Sequence, residues 1–334
     1  MCSSDLFLGL NADYLRQEPF IPVFFHSHEV HGKDLELNVN AHAEIIIAPN
    51  IGSYVGGDIT AGTLASMVWD KEEFSLFLDL GTNGELVFGN KDFLISCACS
   101  AGPAFEGGDI SCGMRATDGA IERITIDKDS LEPAFSVIGD CEPVGICGSG
   151  LIDLISELFL GGIINPKGKL VKKSERVLTD SYGISRYMVV FRGEHGSAKD
   201  IFVTEIDIDN FIRAKGAIFS AINTMLESID MPIEIIENVY VAGGIGSGIN
   251  MKNAINIGMF PDLDIDKFHY IGNSSLSGVY CMAMSTQAKQ KVDFISSNMT
   301  YLELSNINSY MDEFIAACFL PHTNESLFPN VQLK

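Results

Sequence analysis

The 334-residue chain is poor in positive charge: Lys and Arg total 22 against 44 Asp and Glu, a formal net charge of −22. That excludes the broad basic face of a nucleic-acid binder and has the wrong sign for an anionic membrane surface. It leaves room for an anionic ligand held locally by backbone N–H groups. Long apolar runs are missing as well. No stretch approaches the ~18 apolar residues of a membrane span, so none is expected. Met1-Cys2-Ser3-Ser4-Asp5-Leu6 has neither the basic segment nor the apolar core of a secretory signal. Cysteine is present but not arranged. Cys2, Cys97, Cys99, Cys112, Cys141, Cys147, Cys281 and Cys318 form no CxxC pair and no iron–sulfur spacing. Small buried thiols in a reducing cytoplasm account for them. The seven His give no metal cluster, since His26, His28 and His31 lie in a stretch with little pattern. No internal repeat and no low-complexity block stands out.

What is there is globular: 46% hydrophobic and 20% charged residues. At about 100–200 residues per domain, the length allows two or three domains. Cys2 to Leu6 read as the in-frame product of a sequencing adapter, and are set aside on that ground; an ordinary disordered N-terminus is the alternative. Residues 7–42 read mostly as irregular. A strand is expected at 44–48, a helix at 58–69, then a β-meander over 74–95 turning at Asn83-Gly84. Five glycines between 102 and 119 mark a long functional loop. Strands follow at 120–126 and 133–138 and a helix at 149–160. A long helix is expected from Asp207 to Ile229, capped by Asp207 or Asp209. A strand at 238–242, a Gly-rich turn, a helix at 250–258 and a strand at 268–271 come next. A single helix from Ser274 to about Lys289, a strand at 300–304 and a helix at 307–317 close the pattern. Alternating elements of this kind argue for an α/β fold.

Four constellations carry chemistry. In Leu78-Asp79-Leu80-Gly81-Thr82-Asn83-Gly84-Glu85 a carboxylate ends a strand and a Gly/Thr/Asn turn follows. Gly81 and Gly84 would let backbone N–H groups approach phosphate oxygens, Thr82 and Asn83 can donate hydrogen bonds, and Asp79 can hold Mg²⁺ through water. A plain hairpin accounts for the same residues. In Val241-Ala242-Gly243-Gly244-Ile245-Gly246 a strand enters a glycine turn, which suits a flat approach to adenine or ribose through Gly243, Gly244 and Gly246; the spacing is not that of a dinucleotide fingerprint. Gly148-Ser149-Gly150 opens a helix and presents either an anion site or a Ser149 cap. Glu106, in the Gly/Pro loop Gly102 to Gly107, is a carboxylate for water or Mg²⁺, or simply a solvated one.

These motifs, in this order, resemble the superfamily of actin, heat-shock chaperone ATPases and sugar kinases. More closely, the chain is similar to the ATP-dependent reductive activators of corrinoid proteins. The resemblance rests on Pro49 to Asp58, the Asp79 hairpin, Gly102 to Gly107, Gly113-Met114-Arg115-Ala116, Gly145 to Gly150, Ala242-Gly243-Gly244 and the tail Phe319-Leu320-Pro321-His322-Thr323 with Ser326-Leu327-Phe328-Pro329. It implies a ribonuclease-H-like lobe with a mixed sheet and flanking helices, and ATP and Mg²⁺ as ligands. It implies a role in returning cobalt(II) corrinoid proteins of methyltransferase systems to cobalt(I). Asp79, Gly81, Thr82, Asn83 and Gly84 match the second phosphate hairpin, Gly243 and Gly244 the adenosine motif, and Asp58 a metal-binding or water-orienting carboxylate.

On this reading residues 1–57 are the tail of an incomplete first lobe, 58–72 the connecting helix, 73–290 the second lobe and 291–334 a C-terminal strand and helix. The first phosphate hairpin and the iron–sulfur module of the family are expected to be missing. The chain by itself is then expected to bind nucleotide poorly and to reduce no corrinoid. A small-molecule kinase of the same superfamily and a non-catalytic actin-like module are the alternatives, with an NAD-binding protein further behind. A homodimer is possible, and neither nucleic acid nor membrane is an expected partner.

Overall fold

The computed structural model describes all residues except 1, 2, 12, 14–16, 18–20, 53, 128, 245–247 and 332–334. A short helix α1 (Ser3–Phe7) precedes an antiparallel pair, β1 (His28–His31) and β2 (Glu44–Ile47), and helix α2 (Gly57–Ser66). The Ser3–Phe7 segment set aside from the sequence is therefore helical, with Asp5 buried. The irregular reading of 7–42 misses β1, whose four residues alternate without an apolar face.

The meander follows as β3 (Ser75–Leu80), β4 (Gly84–Gly89) and β5 (Leu94–Cys99), all antiparallel neighbours. Leu80 pairs with Gly84, so the turn is a three-residue loop, Gly81 to Asn83, closed by Gly81 N–H donating to Asn83 O at 3.0 Å. The turn read from the sequence as Gly81 to Gly84, on its Asn83-Gly84 signal, is thus one residue shorter. Gly84 is a strand residue, and a Cβ there would lie 2.8 Å from Cys99 Sγ.

Next come β6 (Ala120–Ile126), β7 (Pro133–Val137) and β8 (Gly145–Ile146), one small sheet, then α3 (Gly148–Leu160). Between 161 and 206, where no element was assigned from the sequence, lies a three-stranded antiparallel sheet: β9 (Val177–Thr179), β10 (Ser185–Val190) and β11 (Ile201–Thr204). Helix α4 (Glu205–Glu227) starts earlier than expected. Its N-cap is Thr204, in a capping box with Asp207, so neither Asp207 nor Asp209 is the cap.

The rest is β12 (Asn238–Ala242), α5 (Met251–Asn256), β13 (Phe268–Gly272), α6 (Ser274–Met284), α7 (Thr286–Asn298), β14 (Met299–Tyr301) and α8 (Tyr310–Ala317). The single helix expected at 274–289 is broken at Ser285. That residue is extended (φ −146°, ψ 122°), and its hydroxyl accepts the Ala288 N–H to cap α7.

The main sheet has the order β13-β12-β3-β4-β5-β14. Its β12–β13, β12–β3 and β14–β5 pairs are parallel and the meander pairs antiparallel. Strand alternation divides β3 between two cores. Leu76, Leu78 and Leu80 face the core that includes residues of α3 and α4, whereas Phe77 joins Ile59 of α2, Met282 of α6 and Val292 of α7. Each fully buried Leu or Phe contributes roughly 1.5–3 kcal/mol to the fold. Helices α2 and α6 cross at very close range because glycine sits at the crossing: a Cβ on Gly278 would fall 1.9 Å from Ala61 O. The tail is pinned to α4 by buried Lys215, whose Nζ donates to Phe319 O and, at 2.6 Å, to Pro321 O.

Candidate functional site

The β3–β4 hairpin stands between two unlike cavities. The first, of about 490 Å³, is lined by Leu80, Glu106, Arg115, Gly148, Ser149 and Gly244 among others. Glycine lets the chain segments around it converge. A Cβ on Gly148 would lie 2.1 Å from Phe105 O, and one on Gly150 2.3 Å from Ile121 O, so the head of α3 is set hard against its neighbours. Gly243 sits at φ +95°, where a Cβ would be 2.2 Å from Leu80 O; a side chain there is both strained and blocked. Gly244 is different: a Cβ there meets nothing within 4 Å among the described residues. It presents bare backbone to the cavity.

Helix α3 opens with Cys147 as N-cap, and no side chain caps it. Its first N–H groups therefore have no intrahelical partner, and the helix dipole adds to their pull on an anion. Ser149 does not cap the helix as one reading of the sequence had it; its Oγ lies 3.3 Å from Cys147 Sγ. Across from the helix, Thr82 Oγ1 donates to Glu106 Oε1 at 3.1 Å, tying the hairpin tip to the 102–107 loop.

The second cavity, of about 840 Å³, holds Asn50, Asp58, Glu85, Asn273 and Ser275 on its wall. Asp79 and Glu85 are directly opposite on the hairpin. Ser275 Oγ donates to Asp79 Oδ2 at 3.3 Å and is also 3.1 Å from Asp58 O, so α6 bridges the two aspartates. Burial raises the Asp79 pKa, the charge of Asp58 adds to that, and Ser275 pulls it back. Glu85 is pushed up to about 8 by burial, with Asp58 and then Asp79 adding. Asp79 and Glu85 thus resist carrying full charge together in one patch of low dielectric.

The sequence-derived residues are divided accordingly. Glu106, Gly148, Ser149 and Gly244 share the first cavity, with Thr82 hydrogen-bonded to its rim. Asp58 lines the second, and Asp79 reaches it through Ser275. Asn83 points elsewhere, into a third cavity of about 460 Å³ beside Tyr301, Glu303 and Tyr310. Gly81, Gly84, Gly150 and Gly243 line none of these cavities. Gly246 lies outside the described residues. Sequence reasoning gave no role to Glu85, Ser275 or Arg115. Glu85 was within reach, since pairing across a short hairpin places it opposite Asp79.

Comparison with known proteins gives this geometry a family. Residues 73–332 match the C-terminal domain of RACo, the ASKHA domain, and residues 1–71 match the RACo middle region. The corrinoid activation enzyme RamQ of Eubacterium limosum is 30% identical over 318 residues, 93% of this chain and 53% of that protein. The [Co(II) methylated amine-specific corrinoid protein] reductase of Methanosarcina barkeri is 29% identical over 262 residues, 71% of this chain and 44% of that one. A solved reductive activator for corrinoid, iron–sulfur protein superposes with a TM-score of 0.91 at 47% identity. It matches 98% of this chain over 52% of its own length. The chain spans about half the length of the curated relatives it matches. It belongs to the RACo family, and the mixed sheet with its flanking helices is an ASKHA domain of the actin and sugar-kinase fold.

Proposed function

We propose that this chain supplies the ATP-binding lobe of a reductive activator that returns cobalt(II) corrinoid proteins of methyltransferase systems to cobalt(I). The observation that carries the reading is that Gly148 and Ser149 at the head of α3 and Gly244 after β12 line one cavity, with the hairpin tip tied to its wall through Thr82 and Glu106. Bare backbone at Gly244 and free N–H groups at the head of α3 suit a nucleotide, the first by giving a flat approach and the second by receiving phosphate. ATP, when bound, supplies the free energy of phosphoanhydride hydrolysis for an uphill one-electron reduction. An external one-electron donor, an iron–sulfur centre in the family, would provide that electron.

Mg²⁺ fits in a restricted way. Among the described residues no group of three or more His, Cys, Asp or Glu could hold a metal by itself. Asp79, half-buried near the turn, suits an ion completed by phosphate oxygens and water, which is how Mg²⁺ is usually held at phosphates. Asp58 and Glu85 would orient water, and Ser275 fixes Asp79. In this reading residues 1–57 belong to a first lobe, 58–72 connect, 73–290 form the second lobe, and 291–334 complete it. The chemistry needs a reducing, ATP-supplied compartment, which is the cytoplasm; no helix among the described residues is long and apolar enough to cross a membrane.

The test is a chimera joining the upstream half of a family member to this chain. With MgATP, an electron donor and a cobalt(II) corrinoid protein, the cobalt(I) absorbance is expected to appear, and Asp79→Asn to abolish it. ATP turnover that answers to an added sugar or carboxylate instead of the corrinoid protein would contradict the reading.

A further inference from the structure

We propose that Arg115 recognises the phosphate chain of the nucleotide, and so makes the cavity at the head of α3 selective for nucleoside polyphosphates over nucleosides. The inference rests on reading that cavity as the nucleotide pocket and adds a residue to it. Arg115 is the sole cation on the cavity wall, where Glu106 and Glu122 are the anions. Its guanidinium has no ion pair, hydrogen bond or ring contact among the described residues, in a chain with twice as many acidic as basic side chains. An exposed arginine that shares its cavity with Glu106 and Glu122 and yet pairs with neither has its guanidinium available for an incoming anion.

The backbone that carries it is held firmly. Met114 N–H donates to Ile146 O at 2.9 Å and Ile146 N–H to Cys112 O at 2.8 Å, so residues 112–114 are zipped to β8, which leads directly into α3. Gly107 and Gly113 permit this fit, since a Cβ on Gly113 would lie 2.3 Å from Gly107 O. Further back, Ser111 donates from its N–H at 2.8 Å and its hydroxyl at 3.0 Å to Asp207 Oδ1. Buried Asp207 is the same residue that closes the capping box of α4. Arg115 is thus presented from a braced support beside the uncapped helix. Little ordering remains to be done on binding, and the planar guanidinium suits bidentate contact with phosphate.

Because the chain by itself is expected to bind nucleotide weakly, the experiment titrates it with ATP, ADP, AMP and adenosine up to concentrations that register weak binding, comparing wild type with Arg115→Ala and Arg115→Lys, and records melting temperatures alongside. The wild type is expected to prefer ATP to adenosine. Arg115→Ala should weaken ATP about ten- to a hundredfold while leaving adenosine affinity and melting temperature unchanged. Arg115→Lys should fall between, since it keeps the charge and loses the fork. If Arg115→Ala binds ATP like the wild type, the role of Arg115 is overturned and the pocket reading stands. If ATP and adenosine weaken equally, Arg115 stacks on the base and the phosphate assignment is overturned. If the wild type binds none of the four, the pocket reading falls and Arg115 with it.

Discussion

The two cavities flanking the β3–β4 hairpin differ in what they offer. The one at the head of α3 offers donors from the first helix N–H groups and Arg115, with Glu106, which accepts the Thr82 hydroxyl, and Glu122 as its acidic residues. The one under α2 and α6 is walled by acceptors, with Asp58, Asp79 and Glu85 gathered around Ser275. In the proposed reading one takes an anion and the other a cation or a proton, and a single six-residue strand, β3, reaches toward both. A phosphate–Mg²⁺ pair is the kind of ligand that needs both kinds of surface a few residues apart.

Changes at the glycines separate shape from ligand contact most sharply. Gly148→Val places carbon against Phe105 O and is expected to destabilise the chain by roughly 3 kcal/mol or more, measured by urea unfolding. Gly244→Ala, with open space before it, should stay within about 0.5 kcal/mol of wild type and instead weaken nucleotide binding.

On the acidic side the effect is in the pH dependence. Glu85 moves from an ordinary 4.5 to about 8 on folding. Between those values the folded chain keeps a proton that the unfolded chain has released, so this group's contribution is most favourable below about pH 4.5 and declines as pH rises to 8. Glu85→Gln cannot ionise and should flatten that slope, gaining ~1–3 kcal/mol over wild type near pH 9. A slope unchanged in the variant would show that Glu85 is not the titrating group.

Ser275→Ala should cost about 1 kcal/mol and lift the Asp79 pKa further, seen by carboxylate NMR titration. The smallest effect belongs to Thr82→Val, whose exposed bond to Glu106 is worth no more than about 0.5 kcal/mol in unfolding. Any larger loss there should appear only in nucleotide binding.

Much of this contrast was legible in the sequence. The apolar run 74–80, the glycine segments and the helix opening at Gly148 announced themselves through period and punctuation. Asn83-Gly84 misled because it mimics a hairpin turn while Gly84 is there to clear Cys99 Sγ, a contact set by β5 and invisible locally. The cap of α4 was misplaced because three candidates lie within six residues, and the Thr204–Asp207 capping box that decides among them, though local, went unread. The break at Ser285 hid inside a continuing helical pattern. The division of the site in two follows from strand alternation, which sends Leu78 and Leu80 to one core and Asp79 to the other side. That rule was available, but the motif was read as one loop.

The most direct measurement of the central claim is backbone hydrogen exchange of the chain with and without MgATP. Slowed exchange at 81–84, 148–150 and 243–244 is the predicted result, with Mg²⁺ alone leaving 148–150 unchanged. Nucleotide that slows none of these segments would contradict the assignment of the α3 cavity.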